Sequence, residues 1–453
     1  MAALTGSFKK VTHIMKILTA LTGILIVVFM HVAIVAGQGS EKPNFVIIMA
    51  DDLGYGDLSC YWKDSPAPTP RLDQMASEGL RFTDFHSSGN VCSPTRAGLL
   101  TGRYQQRVGI PGVINADPKH PAHQLGLNRD EVTFAEVLEN EGYSTAIFGK
   151  WHLGYAKQFN PVHHGFEKFR GYVSGNIDYQ SHYDRMESYD WWEGTEHVIE
   201  EGYVTHLVTQ HAVEFIKQSK DRPFCVYVAH EAVHAPWQGP GDPAVRGPQK
   251  QTGGGRSKKE ALPEMLTALD QGVGEILDTI KAAQIEQRTF VFFFSDNGPA
   301  GGSAGPLRGR KGSNWEGGHR VPAIAWWPGK IPAGKTTDQM GITLDVMPTI
   351  VALAGANLPS GLELDGIDLT DFLTQKKPCF DRKLFWNSVA MRDGKWKLMT
   401  RGKGLNKSTV GLYDLSTDVS EQNNVAADFP DRVKQMKAEL AAWKNDVTPE
   451  PNQ

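Results

Sequence analysis

Four short, uninterrupted apolar runs recur along the chain, and each ends abruptly in polar residues. They are NFVIIMA (44–50), STAIFG (144–149), FCVYVA (224–229) and TFVFFFS (289–295). Runs of this length without period-two alternation predict strands buried on both faces, as in parallel sheets. Between them lie stretches with helical spacing of apolar positions: TFAEVLENEG, YVTHLVTQHAVEFIKQ and ALPEMLTALDQGVGEILDTIKAAQ. Strands alternating with helices predict an α/β fold, a sheet with helices on both faces.

The polar residues at the end of each strand are more telling than the strand itself. Asp51 and Asp52 come after the first, Lys150 and His152 after the second, His230 and His234 after the third, Asp296 and Asn297 after the fourth. Ligands of open α/β sheets bind beyond the carboxyl ends of the strands. One polar strand end means little; four point to a single site.

The last part of the chain has another pattern. KLFWNSVAMRDGKWKLMTRG predicts strand, Asp-Gly turn and strand, VGLYDLSTD a further strand, and FPDRVKQMKAELAAWKND a closing amphipathic helix. A smaller α+β subdomain is therefore expected over residues 375–453, after a larger domain over 41–374. The Gly/Pro-rich stretch GPGDPAVRGPQKQTGGGRSKK, after Trp237, predicts a long loop. Two readings stand: a solvated surface loop, or a basic flap over an anion site.

At the N-terminus, Lys9, Lys10 and Lys16 precede the apolar run ILTALTGILIVVFMHVAIVAG. Residues 1–37 read as a secretory signal peptide, with an uncleaved membrane anchor as the alternative. Export permits disulfides. The four cysteines, Cys60, Cys92, Cys225 and Cys379, are widely spaced and lack a CxxC metal pattern. Cys225 sits in an apolar run and reads as a core residue. A net charge of −4 over 453 residues gives no global pull toward nucleic acid.

Asp51, Asp52, Asp296 and Asn297 offer only oxygen donors, a set for a hard cation such as Ca²⁺ or Mg²⁺ and not for zinc. Adjacent carboxylates in a cleft repel one another unless a cation lies between them. Arg96, Lys150, His152, His234 and Lys311 form a cationic set suited to a sulfate or phosphate ester. Pro94 fits the first turn of a helix, which places Cys92 at its start. There the thiol could be an activated nucleophile or a structural cysteine.

CSPTRAGLLTGR has the Cys-x-Pro-x-Arg signature followed by Leu-Thr-Gly-Arg, and it resembles that of the type I sulfatases. NFVIIMADDLGYGDL, GKWHLG, HAPW, SDNG and KGSNWEGGHRVPAIAWWPG resemble further blocks of that family, in its order and over nearly all of the chain after the leader. The branch most resembled is that of arylsulfatase A and N-acetylgalactosamine-6-sulfatase. The resemblance implies an alkaline-phosphatase-like fold, a large mixed and mostly parallel sheet sandwiched by helices. It implies that Cys92 is converted during export to Cα-formylglycine, by a formylglycine-generating or anaerobic sulfatase-maturing enzyme. The hydrated aldehyde would carry two hydroxyls: one to attack sulfur, the other to expel sulfate. Asp51, Asp52, Asp296, Asn297 and the modified Cys92 would hold one Ca²⁺. Arg96 would steady the diol, His152 would hydrogen-bond it, and Lys150, His234 and Lys311 would bind the sulfate. His230 is expected to support the site from behind or to be structural.

The substrate implied is a sulfated saccharide or aryl sulfate ester, a galactose or N-acetylgalactosamine 6-sulfate being the nearest analogy. In the segment GNIDYQSHYDRMESYDWWEGT, Tyr179, His182, Asp190, Trp191 and Trp192 are candidates for contacting a sugar. The alternatives are a phosphate or phosphonate ester hydrolase of the same superfamily and an inactive sulfoglycan-binding protein. The expected location is outside the cytoplasm: periplasmic, extracellular or lysosomal. Asn406-Lys407-Ser408 is a glycosylation sequon.

Overall fold

In a computed structural model, residues 42–248, 256–402, 404–405 and 410–448 are described. The leader at 1–37 and the sequon at Asn406 lie outside them. The four apolar runs are strands: β1 (Asn44–Ala50) first, then helix α1 (Pro70–Glu78), strand β2 (Leu80–His86), helix α2 (Cys92–Thr101) and helix α3 (Phe134–Asn140). Next come β3 (Ser144–Lys150), β4 (Lys168–Tyr172), the short β5 (Trp192–Glu193) and β6 (Glu196–His197), α4 (Val204–Ser219) and β7 (Phe224–Ala229). The chain continues through α5 (Lys258–Ala282), β8 (Thr289–Ser295), α6 (Glu316–His319), β9 (Arg320–Trp326), β10 (Lys335–Thr337), β11 (Gly341–Ile342) and α7 (Val346–Ala354).

Among the described residues, eleven strands form one sheet in the order β10-β2-β9-β8-β1-β7-β3-β4-β5-β6, with β11 beside β2. The middle, β8-β1-β7-β3-β4, is parallel throughout. Strand β9 runs antiparallel to both β8 and β2, so the sheet is mixed. The four runs predicted from apolar pattern are neighbours at its centre. Strands β2 and β9 were not predicted: β2 carries Arg81 and Asp84 among its apolar residues, and β9 opens on Arg320 and contains Pro322.

Both faces of the central strands are dry, for the reason their sequences imply. Phe45, Ile47 and Met49 point into the core that includes α2, α3 and α7. Val46, Ile48 and Ala50 point into the core that includes α1, α4 and α5. Successive side chains of a strand face opposite ways, so a strand covered on both sides is apolar at every position. Helix α3 starts with a capping box: Glu136 N donates to Thr133 Oγ1 at 3.2 Å, and Thr133 N to Glu136 Oε2 at 2.8 Å.

The C-terminal part forms an antiparallel sheet of β12 (Lys383–Trp386), β13 (Ala390–Asp393), β14 (Trp396–Met399) and β15 (Gly411–Asp414), followed by α9 (Pro430–Val447) after the single turn α8 (Thr370–Leu373). The expected first strand is itself a hairpin, turning at Asn387 and Ser388, both with positive φ. The described residues from Pro43 onward form one compact unit. The joint is a buried ionic network. Glu316, fully buried in α6, accepts from Lys397 Nζ at 2.8 Å and Arg392 Nη1 at 2.8 Å. Arg392 Nη2 reaches Asp84 Oδ2 at 2.9 Å, and Asp84 Oδ1 meets His86 Nε2 at 2.9 Å. Trp386 stacks on His319 at 3.9 Å and donates its indole N–H to Ser87 O.

Removing one member of such a network strands its partner without water. Lys397→Met should therefore lower the unfolding free energy by about 3–5 kcal/mol, read as a fall in the urea midpoint at unchanged slope. An unaltered midpoint would show that Glu316 does not need this cation.

Candidate active site

The site is assembled where β1, β3, β7 and β8 end and where α2 begins. Helix α2 has no amphipathic face; all ten of its residues are buried. Pro94 lies in the first turn, where its missing N–H costs nothing. Ser93 Oγ accepts from Ile114 N at 3.1 Å, and Thr95 Oγ1 from Gly89 N at 3.1 Å. The helix stops at Gly102, whose φ of 65° suits a residue without a side chain and whose N–H caps Gly98 O. These contacts hold Cys92 at the first helical position, 3% exposed.

Around it lie the predicted groups. Cys92 Sγ is 3.6 Å from Asp51 Oδ1 and 3.4 Å from Lys311 Nζ. Arg96 Nη2 donates to Asp51 Oδ2 at 2.9 Å and approaches Asp296 Oδ2 at 3.4 Å. Lys150 Nζ pairs with Asp51 Oδ2. Lys311 Nζ meets Asp52 Oδ1 at 2.5 Å, and His234 Nε2 lies 3.6 Å from Asp52 Oδ2. Three buried carboxylates thus face two buried cations, Arg96 and Lys150, and the partly exposed Lys311. Asp52 and His152 hold positive φ of 59° and 54°, a conformation uncommon outside glycine and typical of functional positions.

The donor set fits a hard cation. Asp51, Asp52, Cys92 and His234 each bring one candidate ligand atom within 4.8 Å of the others. Asn297 adds a buried Oδ1 with no hydrogen-bond partner, while its Nδ2 donates to Asp52 Oδ1 at 2.7 Å. Asp296 is less free: Oδ1 accepts from Asp52 N, and Oδ2 faces Arg96. Burial, then the Asp51 charge, holds the Asp296 carboxyl up into the neutral range. That is the expected strain of gathering carboxylates in a dry cleft with too little positive charge. Burial also opposes ionisation of Asp51, yet Lys150, His234, Arg96 and Lys311 together keep it well below the usual range.

Of the two readings of the Cys92 thiol, the electrostatics disfavour the activated nucleophile. Burial, and then Asp51, push the Cys92 thiol up to about 12. Desolvation outweighs the helix N-terminus, so the sulfur stays protonated and is a poor nucleophile. His152 is better placed to move a proton. Its Nε2–H donates to Ile114 O at 3.1 Å, which leaves Nδ1 as the lone-pair nitrogen, buried and unpartnered. Burial, then Lys150, holds His152 neutral, well below its ordinary pKa. Gly175 packs against this ring, where a Cβ would come within 2.7 Å of Nε2.

A cavity of about 220 Å³ opens above Cys92, with His152, His234 and Lys311 at its base. Val113, Ile114, Ala116 and Tyr155 form one wall, and Gly175, Asn176 and Arg185 complete it. The segment expected to meet substrate does reach this cavity, but through other residues than predicted. Tyr179 and Trp191 are fully buried, His182 and Asp190 nearly so. Tyr179 Oη donates to His234 O at 2.9 Å and its ring stacks on Tyr203, so it braces His234 from behind. His182 Nε2 donates to Gly202 O, and Trp191 Nε1 to Glu200. Asp190 accepts from Val173 N, Ser174 N and Trp192 Nε1. Aromatic and acidic character drew attention to these residues, yet here it serves the loop's own core. Arg185 and Asn176 were overlooked because an exposed Arg and a turn Asn carry no local signal.

Other expectations fall as follows. His230 is fully buried and neither ring nitrogen has a partner. Cys225 is buried in β7, and all four thiols are free. The described start of the Gly/Pro-rich loop is tied down: Val245 N and Arg246 N donate to Asp178 Oδ2 at 2.7 and 2.8 Å. Residues 249–255, the core of the proposed flap, lie outside the described residues.

Comparison with known proteins converges on one family. The sulfatase family model matches residues 43–356, and that of the N-sulphoglucosamine sulphohydrolase C-terminal region matches 311–446. The chain is 35% identical to arylsulfatase A of Bos taurus, over 93% of this chain and 92% of that protein. It is 36% identical to human N-acetylgalactosamine-6-sulfatase, over 78% of this chain and 69% of that one. Among solved structures, Ps i-CgsB in complex with k-i-k-neocarrahexaose superposes with a TM-score of 0.79 at 27% identity, covering 89% of this chain and 93% of that one. The PsFucS1 sulfatase from Pseudoalteromonas sp. gives 0.73 at 26% identity, covering 92% and 93%.

Burial, with His206 adding to it, lowers the His230 pKa to about 3. The native state keeps this ring neutral, while the unfolded chain protonates it below about 6.5. The stabilisation is therefore complete above pH 6.5 and is lost as pH falls toward 3. His230→Leu should flatten the pH dependence of unfolding free energy across that window, by up to about 1.4 kcal/mol per pH unit. Denaturant titrations at pH 4 to 7 measure it; an unchanged slope means that the native ring is solvated.

Proposed function

The chain belongs to the sulfatase family and is a sulfuric ester hydrolase of the arylsulfatase and N-acetylgalactosamine-6-sulfatase type, and on that premise we propose that it is an exported enzyme that desulfates a carbohydrate, using Cα-formylglycine made from Cys92 and one Ca²⁺. The observation that carries the reading is the placement of Cys92. It sits at the foot of a pocket, 3.4 Å from the Lys311 ammonium and 3.6 Å from an Asp51 oxygen, with its thiol held protonated. A cysteine so placed has the neighbours of a reacting centre but not the ionisation of one. The carbohydrate assignment draws on relatives described as N-acetylgalactosamine-6-sulfatase and on the neighbour solved with a neocarrahexaose.

Asp51, Asp52, Asn297 and, more weakly, Asp296 would hold the Ca²⁺, which supplies Lewis acidity toward an oxygen on position 92 when bound. As formylglycine, position 92 supplies a hydrated carbonyl with two hydroxyls, where serine or cysteine has a single heteroatom. The remaining work falls to the chain's own side chains. Lys150 and Lys311 neutralise sulfate oxygens and keep developing charge from a dry cleft. Burial opposes the charge on Lys311, yet Cys92, Asp52 and Asp51 raise its pKa well above the ordinary value. Lys311 therefore stays protonated and hydrogen-bonds the leaving oxygen as charge develops there, while His234, lowered chiefly by burial, acts as a neutral hydrogen-bonding group. His152 Nδ1 takes the proton from the second hydroxyl as sulfate departs.

The peptide containing Cys92, from a host that matures sulfatases, should weigh about 18 Da less than its cysteine form, the difference between a thiol and a carbonyl side chain. Cys92→Ser should lose at least about a thousandfold in kcat on an aryl sulfate, the scale on which catalytic groups acting together are lost. The wild type should prefer that sulfate to the phosphate of the same phenol; the reverse preference would indicate a phosphohydrolase, and unmodified thiol with no turnover an inactive binding protein. Calorimetric titration of chelator-treated protein should give one Ca²⁺ site that Asp52→Asn weakens by at least about tenfold, or about 1.4 kcal/mol; equal affinity in both proteins would remove Asp52 from the ligand set.

A further inference from the structure

The cavity above Cys92 is charged at its base and again at its mouth, with an apolar wall between. The base is the sulfate site already described. The mouth is formed by Asn176 and Arg185, from the turn in which Ile177 bridges to Asp184 and Tyr183 to Tyr189. Arg185 is exposed. Its Nη2 donates to Asn115 Oδ1 at 3.0 Å, and among the described residues no carboxylate lies within ion-pair distance of it. The acid beside it is turned away: Asp184 Oδ1 accepts from Met186 N at 2.8 Å and Ser188 N at 2.9 Å.

A second cation stands close by. Arg246 Nη1 donates to Asn176 Oδ1 at 2.6 Å, which fixes the amide with its oxygen engaged and its NH₂ as the free end. Arg246 feels the field of Arg185 as a repulsion, against the attraction of Glu231 and Asp178. Among the described residues, no carboxylate side chain lines the cavity. Arg185 and the Asn176 amide N–H₂ thus meet at the cavity rim, with Arg246 behind the amide, and Arg185 has no carboxylate of the described residues to pair with. A planar guanidinium suits a carboxylate or a sulfate, which it can bind through two parallel N–H groups.

We propose that this rim is a second anion site, in which Arg185, with Asn176, determines specificity by binding a carboxylate or another sulfate on the same molecule whose sulfate ester enters at Cys92. The inference rests on the sulfatase reading and refines it: the substrate is a saccharide with at least two negative groups. A cavity of about 220 Å³ is smaller than the roughly 300–1,000 Å³ of sites for drug-sized ligands. One sugar ring fills it, which sets the second anion on that ring or on the next.

Titration calorimetry on the Cys92→Ala protein, with and without Arg185→Gln, tests this. The probes are two matched pairs: N-acetylgalactosamine 6-sulfate against its 4,6-disulfate, and glucosamine 6-sulfate against its 2-N,6-O-disulfate. In at least one pair the second sulfate should tighten Kd by about tenfold. Arg185→Gln should bring that ratio close to one, Arg185→Lys should restore part of it, and rising salt should shrink it. A flat ratio in both pairs, or a ratio that survives Arg185→Gln, overturns the proposal. Hydrolysis of 4-nitrophenyl sulfate by the unmutated enzyme is scored separately: its absence counts against the sulfatase reading, whereas the Kd ratios count for or against the rim.

Discussion

The structure is organised around a repulsion. Asp51, Asp52 and Asp296 are brought together at the end of a dry sheet, where two like charges about 4 Å apart oppose each other by about 4 kcal/mol even at an effective dielectric near 20. Arg96, Lys150 and Lys311 answer them, each from a different part of the chain. Burial, and then the Asp51 charge, still push Asp296 upward although Arg96 and Lys150 oppose this. The same surplus of oxygen donors that makes the apo arrangement strained makes it receptive to a divalent ion and to an anion carried in on it.

Cys92 acquires its meaning from this field. At the start of α2 it has the N–H groups that favour an anion, yet burial outweighs them and the thiol stays protonated. Around it, Tyr179 holds His234, Ile114 O fixes the His152 tautomer, and Gly175 leaves room for that ring. The C-terminal sheet reaches the same place from the other side. Its Trp386 grips Ser87 O, and Asn387 shares Asn314 with Asn90, two residues before Cys92. The ionic network of Glu316, Lys397, Arg392 and Asp84 therefore supports the segment that carries the reacting residue, although it touches no ligand.

The chain's pattern made the centre of the fold and the base of the site legible. Strands covered on both faces must be apolar at every position, so β1, β3, β7 and β8 stand out, and the polar residues that end them mark the site by simple adjacency. A helix that has to present Cys92 in a confined space carries its signature in Pro94, Arg96 and Gly102. Strands β2 and β9 are less legible because Asp84 and Arg320 within them serve ionic contacts with the C-terminal sheet and α6, and no local rule separates such a run from a loop.

Tertiary structure alone decided which residues of the 175–195 segment face the cavity. Tyr179, His182, Asp190 and Trp191 have the chemistry of sugar ligands, but their polar atoms are taken by Gly202, Glu200 and the backbone, while Arg185 and Asn176 face outward. Which side a loop side chain takes depends on partners far away in sequence, such as Asn115 and Arg246. Periodicity fixes orientation within a strand or a helix because the backbone repeats; a loop has no repeat. The family's chemistry is therefore written in the strand ends, and the choice of substrate is written only in space.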